Sequence, residues 1–221
     1  MTNLQTIDNG NTLPIRCGLV APENWKNVDA SPTLVISKIP FLGKIILSLI
    51  DGPSWPENVE YGNILKGMKI KENSCDLVFA SHVLEHLSYS DFHTALNNIY
   101  KYLKPGGIFR FIVPDLKKYV DNYPVQYSDI NIASKASVNF MKNTCTGCSN
   151  SRSTLYHRLR EAFANSRHQW MWDEPSLMNA VNKLNFKNVR KCSYGDSSDN
   201  RFSLVEDVGR YTDAIGIEAL K

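Results

Sequence analysis

The sequence predicts an α/β fold built on a mainly parallel sheet. Short β-branched or apolar runs alternate with stretches of helical period, and the most regular helical stretch closes on Pro105-Gly106-Gly107. A chain of 221 residues with 43% hydrophobic, 21% charged and 10% aromatic content suits one globular domain spanning residues 1–221. It excludes collagen-like, coiled-coil and largely disordered chains. The 25 basic and 22 acidic side chains leave a formal charge of +3 without a clustered patch, so nucleic acid is not an expected partner.

Strands are expected at 13–16, 26–29, 59–61, 76–80, 108–113, 189–193 and 214–220. The residues between the first two, from Cys17 past Asn24, are fewer than the dozen or so that a parallel crossover takes, so no helix is expected there. The most apolar stretch, 34–50, contains Lys38, Pro40 and Lys44. As a helix it would span about 25 Å against a hydrocarbon core of about 30 Å, so no transmembrane span is expected. It reads as a helix kinked or started at Pro40 and laid on the core. The alternative is an interfacial helix touching lipid with its lysines at the headgroups, a peripheral membrane contact. A helix over 91–103 would be capped by Ser90 and bury Phe92, Leu96, Ile99, Tyr100 and Leu103. Residues 122–170 read as a helical insertion or lid, with helical patches at 130–141 and 154–164 around the polar stretch KNTCTGCSNSRS. A last helix starts at Glu174-Pro175, with Asp173 as cap, and buries Leu177, Ala180, Val181 and Leu184.

Five cysteines, an odd number with no secretory leader ahead of them, point to reduced thiols and a cytoplasmic setting. Cys145 and Cys148 have C-x-x-C spacing, and His157 or His168 could add a third ligand. No fourth is nominated, so no metal is expected. In an open parallel sheet ligands gather at the carboxyl ends of the strands. Those ends carry Arg16-Cys17-Gly18, Asp29, Asn63, Ser81-His82 and Pro114-Asp115.

The stretch CDLVFASHVLEHL at 75–87, followed by YKYLKPGGIFRFIVPDL at 100–116, resembles the class I S-adenosylmethionine-dependent methyltransferases, in particular the bacterial small-molecule (type 11-like) group. Weaker similarity reaches WKNVD, VEYGN, HQWMWDEPSL and DAIGIEALK. The resemblance implies a Rossmann-like, doubly wound, seven-stranded sheet with strand 214–220 antiparallel. It also implies S-adenosyl-L-methionine along the carboxyl edge, bound by Arg16, Cys17, Gly18, Asp29, Asn63, Ser81 and His82. Gly18 would allow close backbone approach, and the Asp29 carboxylate would accept from both ribose hydroxyls, its other reading being a helix cap. Two positions depart from the pattern. Arg16 replaces the first glycine of Gly-Cys-Gly and either obstructs the site or pairs with the cofactor's carboxylate. Asn63 replaces an aspartate that accepts from the adenine amino group, with about half the bond strength.

The activity implied is methyl transfer to a small hydroxylated acceptor, a glycan or lipid-linked sugar, with His82, His168 and Asp115 as acid–base candidates. His86 reads as a buried hydrogen-bonding group beside Glu85. His168, Trp170, Trp172 and Asp173 either floor an acceptor pocket or seal the insertion onto the core. A catalytically inactive binding or assembly protein is the alternative that Arg16 and Asn63 motivate. A nicotinamide enzyme is disfavoured, because no G-x-G-x-x-G follows any strand.

Overall fold

The computed structural model describes residues 12–15, 19–50, 52–147 and 167–221. One sheet organises them, in the order β3-β2-β1-β4-β5-β7-β6. Its strands are β1 (Thr12–Ile15), β2 (Val28–Asp29), β3 (Glu60–Tyr61), β4 (Cys75–Ser81), β5 (Leu103–Pro114), β6 (Lys187–Cys192) and β7 (Ala214–Leu220). The first five pair in parallel, and β7 runs antiparallel to both β5 and β6. This is the expected mostly parallel, Rossmann-like arrangement. It differs from seven full strands, because β2 and β3 are two-residue ledges beside five longer strands. The chain steps outward from β1 to β3 and returns to β4, so the carboxyl ends of β1 and β4 flank the switch point where ligands bind in such sheets.

Helices cover the sheet and explain its apolar strands. On one face, Phe109, Phe111, Val113, Ile215 and Ile217 meet Phe92, Leu96 and Ile99 of α3 (Tyr89–Tyr102) and Leu177 and Val181 of α6 (Glu174–Asn182). On the other, Leu77, Phe79 and Ile112 meet Trp25, Phe202 and Val205. α3 starts earlier than expected. Ser88, not Ser90, caps it by accepting from the Asp91 amide at 3.2 Å, and the helix ends at Tyr102, where Leu103 turns extended. The Pro-Gly-Gly segment therefore joins β5 instead of forming a stop. A Cβ on Gly107 would lie 2.9 Å from the Lys104 carbonyl and 3.0 Å from that of Cys75, which requires glycine there. α6 begins as read from the sequence, with Asp173 accepting from the Ser176 amide at 2.9 Å.

The 34–50 stretch corrects the expectation of a helix laid on the core. It forms two short helices, α1 (Pro32–Ser37) and α2 (Leu42–Leu49), broken after Pro40 at Phe41, whose φ is 62°. Leu34 and Leu47 are buried, but Phe41 is 95% exposed, Leu49 78%, and Leu42 and Ile45 57% each. Gly43 and Leu47 face inward, while the apolar side of α2 formed by Leu42, Ile45 and Leu49 stays uncovered, because a core accepts only one stripe of a helix. No helix among the described residues is long and apolar enough to cross a membrane.

Past β5 come α4 (Leu116–Ser128), a 3-10 turn (Ala133–Lys135) and α5 (Ala136–Asn143), where one patch at 130–141 was expected. The 154–164 patch, Cys148 and His157 lie outside the described residues. The chain returns beside its point of departure: Asp115 and Trp172 form a parallel bridge, and the Leu116 amide donates to the Trp172 carbonyl at 2.8 Å.

One feature of β5 is invisible to strand patterning. Arg110, in the run IFRFIV, is fully buried. Its guanidinium donates to Glu206, to Glu218 Oε2 at 2.9 Å, to Asp196 Oδ1 at 3.1 Å and to the Ser193 carbonyl at 2.6 Å.

Candidate active site

The carboxyl edge presents four of the expected cofactor residues, Asp29, Asn63, Ser81 and His82. Asp29 ends β2, is 2% exposed, and accepts from the Ser31 amide at 2.7 Å just before α1. Ser81 ends β4, and its buried hydroxyl has no hydrogen-bond partner among the described residues. Asn63 lies two residues past β3 and turns its Oδ1 onto its own loop, accepting from the amides of Leu65 at 2.9 Å and Lys66 at 3.3 Å. Arg16, Cys17 and Gly18 lie outside the described residues. A buried carboxylate and a partnerless buried hydroxyl on the two strand ends that flank β1 suit a ligand rich in hydroxyl and amino groups, as an adenosyl cofactor is.

His82 follows at φ 52°, with its amide extending the ladder to the Ile112 carbonyl at 2.9 Å. This backbone turn starts the 3-10 turn Leu84–His86 and places Glu85 underneath. Three imidazoles converge on Glu85 Oε1: His82 Nδ1 at 3.5 Å, His86 Nε2 at 3.8 Å and His168 Nε2 at 3.9 Å. The far nitrogens of two rings are held by backbone, His82 Nε2 by the Arg210 carbonyl at 2.8 Å and His86 Nδ1 by the Arg167 carbonyl at 2.9 Å. The Glu85 carbonyl accepts from the amides of Gln169 at 2.8 Å and Trp170 at 3.2 Å, which fastens the returning chain onto the turn. Burial works against charge on His82, but Glu85 and the Arg210 carbonyl outweigh it and hold its pKa above the usual value. For His168 burial wins, and the pKa falls. Sequence reasoning gave Glu85 no role of its own. The available signal was a carboxylate between two histidines in HVLEH, with a further histidine ahead of the tryptophans.

The aromatic cluster divides between its two readings. Trp172, 2% exposed, packs on Phe92 at 4.4 Å and seals the returning chain to the core. Trp170 and Tyr89 stay about half exposed, 4.9 Å apart, and with His93, Leu116, Trp172 and Asp173 they line a pocket of about 200 Å³. His168 faces Glu85 instead of this pocket. Asp115 Oδ1 caps α4, accepting from the Lys117 amide at 2.9 Å.

Residues 53–111, from ahead of β3 into β5, match the family model of the methyltransferase domain. This segment, about a quarter of the chain, is similar to a methyltransferase domain. The matched segment carries Asn63, Ser81, His82, Glu85 and His86. No curated protein matches the sequence. Among solved structures, a S-adenosylmethionine-dependent methyltransferase of Archaeoglobus fulgidus is 13% identical, covering 96% of this chain and 86% of that one at a TM-score of 0.47. One from Thermotoga maritima is 16% identical, covering 96% and 82% at 0.47. Phosphoethanolamine N-methyltransferase 2 of Haemonchus contortus, solved with S-adenosyl-L-methionine, is 14% identical, covering 98% and 50% at 0.47. At TM-scores below one half these likenesses bear on neither the acceptor nor the site residues.

Proposed function

We propose that this protein is an S-adenosylmethionine-dependent methyltransferase that binds its cofactor at the switch point between β1 and β4 and methylates a small hydroxylated acceptor, a glycan or lipid-linked sugar. The methyltransferase-domain match over 53–111 carries the reading. The partnerless buried Ser81 hydroxyl and the buried Asp29 carboxylate support the cofactor's place.

The cofactor supplies an activated methyl group, so the protein's task is to hold two partners in line. Asp29 would accept from the ribose hydroxyls, Ser81 would meet a polar group of the cofactor, and Asn63 would offer its amide near the adenine. Arg16, Cys17 and Gly18 would frame the methionine end, and His82 would close that rim. The acceptor hydroxyl loses a proton, for which His82 and His168, around Glu85, and Asp115, at the entry to α4, are the candidates.

The aromatic pocket supports a ring-shaped acceptor, because exposed Tyr89 and Trp170 offer faces for a sugar to lie against. Trp170→Ala is expected to raise the acceptor KM by roughly 5- to 10-fold, the worth of about one aromatic contact, with S-adenosylmethionine affinity unchanged. Release of S-adenosylhomocysteine across a panel of saccharides measures it, and an unaltered KM removes the pocket from the acceptor site. A lipid-linked acceptor in a cytoplasmic setting draws support from exposed Phe41, Leu42, Ile45 and Leu49 with Lys44 among them. The protein should then sediment with anionic vesicles, and the Phe41→Asp/Ile45→Asp double variant should stay in the supernatant. Equal behaviour of the two proteins overturns the membrane contact.

The binding or assembly reading is favoured by one observation: Asn63 Oδ1 is already committed to the Leu65 and Lys66 amides, which leaves adenine less to bond to. Calorimetry separates the two. Micromolar binding of S-adenosylmethionine and S-adenosylhomocysteine is the expected result, and no heat with either at high concentration selects the non-catalytic reading.

A further inference from the structure

Glu85 is 1% exposed, and neither of its carboxylate oxygens has a hydrogen-bond partner among the described residues. A buried carboxylate left this way is costly, so the imidazoles around it must supply the compensation. Their tautomers decide how. A backbone carbonyl only accepts, so His82 Nε2 carries a proton toward Arg210 and His86 Nδ1 carries one toward Arg167. In the neutral ring each then turns the lone pair of its other nitrogen toward the same oxygen, Glu85 Oε1, at 3.5 and 3.8 Å, with His168 Nε2 at 3.9 Å. All three distances exceed the 2.7–3.2 Å of an N–H···O bond. One extra proton bridges one of these gaps and leaves lone pairs opposed across the others.

A cation between Glu85, His86 and His168 takes up their lone pairs together and compensates the buried carboxylate. We propose that Glu85, His86 and His168 bind a divalent metal ion of the zinc type as three protein ligands, which leaves a tetrahedral ion one open position. The ligand atoms of Glu85, His86 and His168 already lie within 4.8 Å of one another. A tetrahedral zinc ion with ligands at about 2.0–2.1 Å holds its donors about 3.3–3.4 Å apart, so each side chain closes by less than about 1 Å. Imidazole and carboxylate are suitable donors for this class of ion. A backbone carbonyl on the far nitrogen is also how metal-bound histidines are oriented. His168 arrives from the returning chain, so the ion would pin that chain to the turn after β4. It would also hold an acceptor oxygen by charge and leave the proton to Asp115.

The test uses full-length, untagged protein stripped with a chelator and titrated with Co²⁺ and then Zn²⁺, without S-adenosylmethionine, so its outcome is independent of methyl transfer. One equivalent of Co²⁺ should bind with visible d–d absorption and no thiolate charge-transfer band, and Zn²⁺ should displace it. His86→Gln and His168→Asn should each weaken binding by more than the roughly 10- to 100-fold typical of outer-shell changes, while Cys145→Ser should have no effect. Far-ultraviolet circular dichroism confirms the fold of each variant. The wild-type titration alone overturns the proposal if it shows no saturable one-equivalent uptake or shows thiolate ligation. Undiminished binding in both histidine variants overturns it as well.

Discussion

Replacing Arg110 with leucine is expected to lower folding stability by about 3–5 kcal/mol, the cost of removing one member of a buried ionic cluster. The guanidinium is fully buried in the middle of β5. Glu206 and Glu218, the latter on β7, are themselves almost completely buried and lean on it, and Asp196 reaches it from the surface. Without Arg110, buried Glu206 keeps its desolvation penalty and loses the cation that compensates it, while Glu218 and Asp196 keep only the half-exposed Arg190. The Tyr211 hydroxyl, which donates to Glu206, and the Cys192 thiol, pushed up to about 12 by burial, add no positive charge. Arg110→Lys keeps the charge but not the fork, and should fall between wild type and Arg110→Leu. Urea unfolding followed by circular dichroism measures both, and a loss below about 1 kcal/mol for leucine would show that the cluster contributes little. The cluster also sets acid sensitivity. Burial pushes the Glu218 carboxyl up, but Ser198, Arg190 and Arg110 together hold it below the usual value, and Asp196 is likewise held low. Groups depressed in the folded state stabilise it above their ordinary pKa. That contribution should fade as pH falls below about 4.5 toward their folded values.

Asp29→Ala is expected to weaken S-adenosylmethionine binding by about 100-fold or more. Two charge-assisted hydrogen bonds to ribose hydroxyls are worth about 1.5–3 kcal/mol each, which sets the lower bound. The carboxylate also accepts from the Ser31 amide, so a stability loss of about 1 kcal/mol should accompany the change. Calorimetry with the cofactor and thermal unfolding without it separate the two effects. Cofactor affinity within threefold of wild type would mean that Asp29 only shapes the turn into α1.

Local signals located some of this molecule and missed the rest for a consistent reason. β7 and α6 were legible because a β-branched run and an Asp-Glu-Pro start each settle their own conformation. The placement of Asp29 and Ser81 at strand ends was legible because each closes an apolar run with a polar residue. The Arg110 cluster was not, since its partners lie 83 to 108 residues away along the chain. The same holds for Glu85: its neighbour His86 was readable as a buried group, but convergence with His168 depends on how the chain returns after α5. For 34–50 the composition showed apolarity without showing which side would be covered, and Pro40 resolved this by splitting the run into two helices with one buried stripe.

The pairing of Asp115 with Trp172 closes everything between them into a loop whose two stems are held together at the sheet. Closure entropy grows only slowly with loop length, so the intervening segment is thermodynamically replaceable: a longer or shorter cassette would leave β5, β7 and the cofactor edge in register.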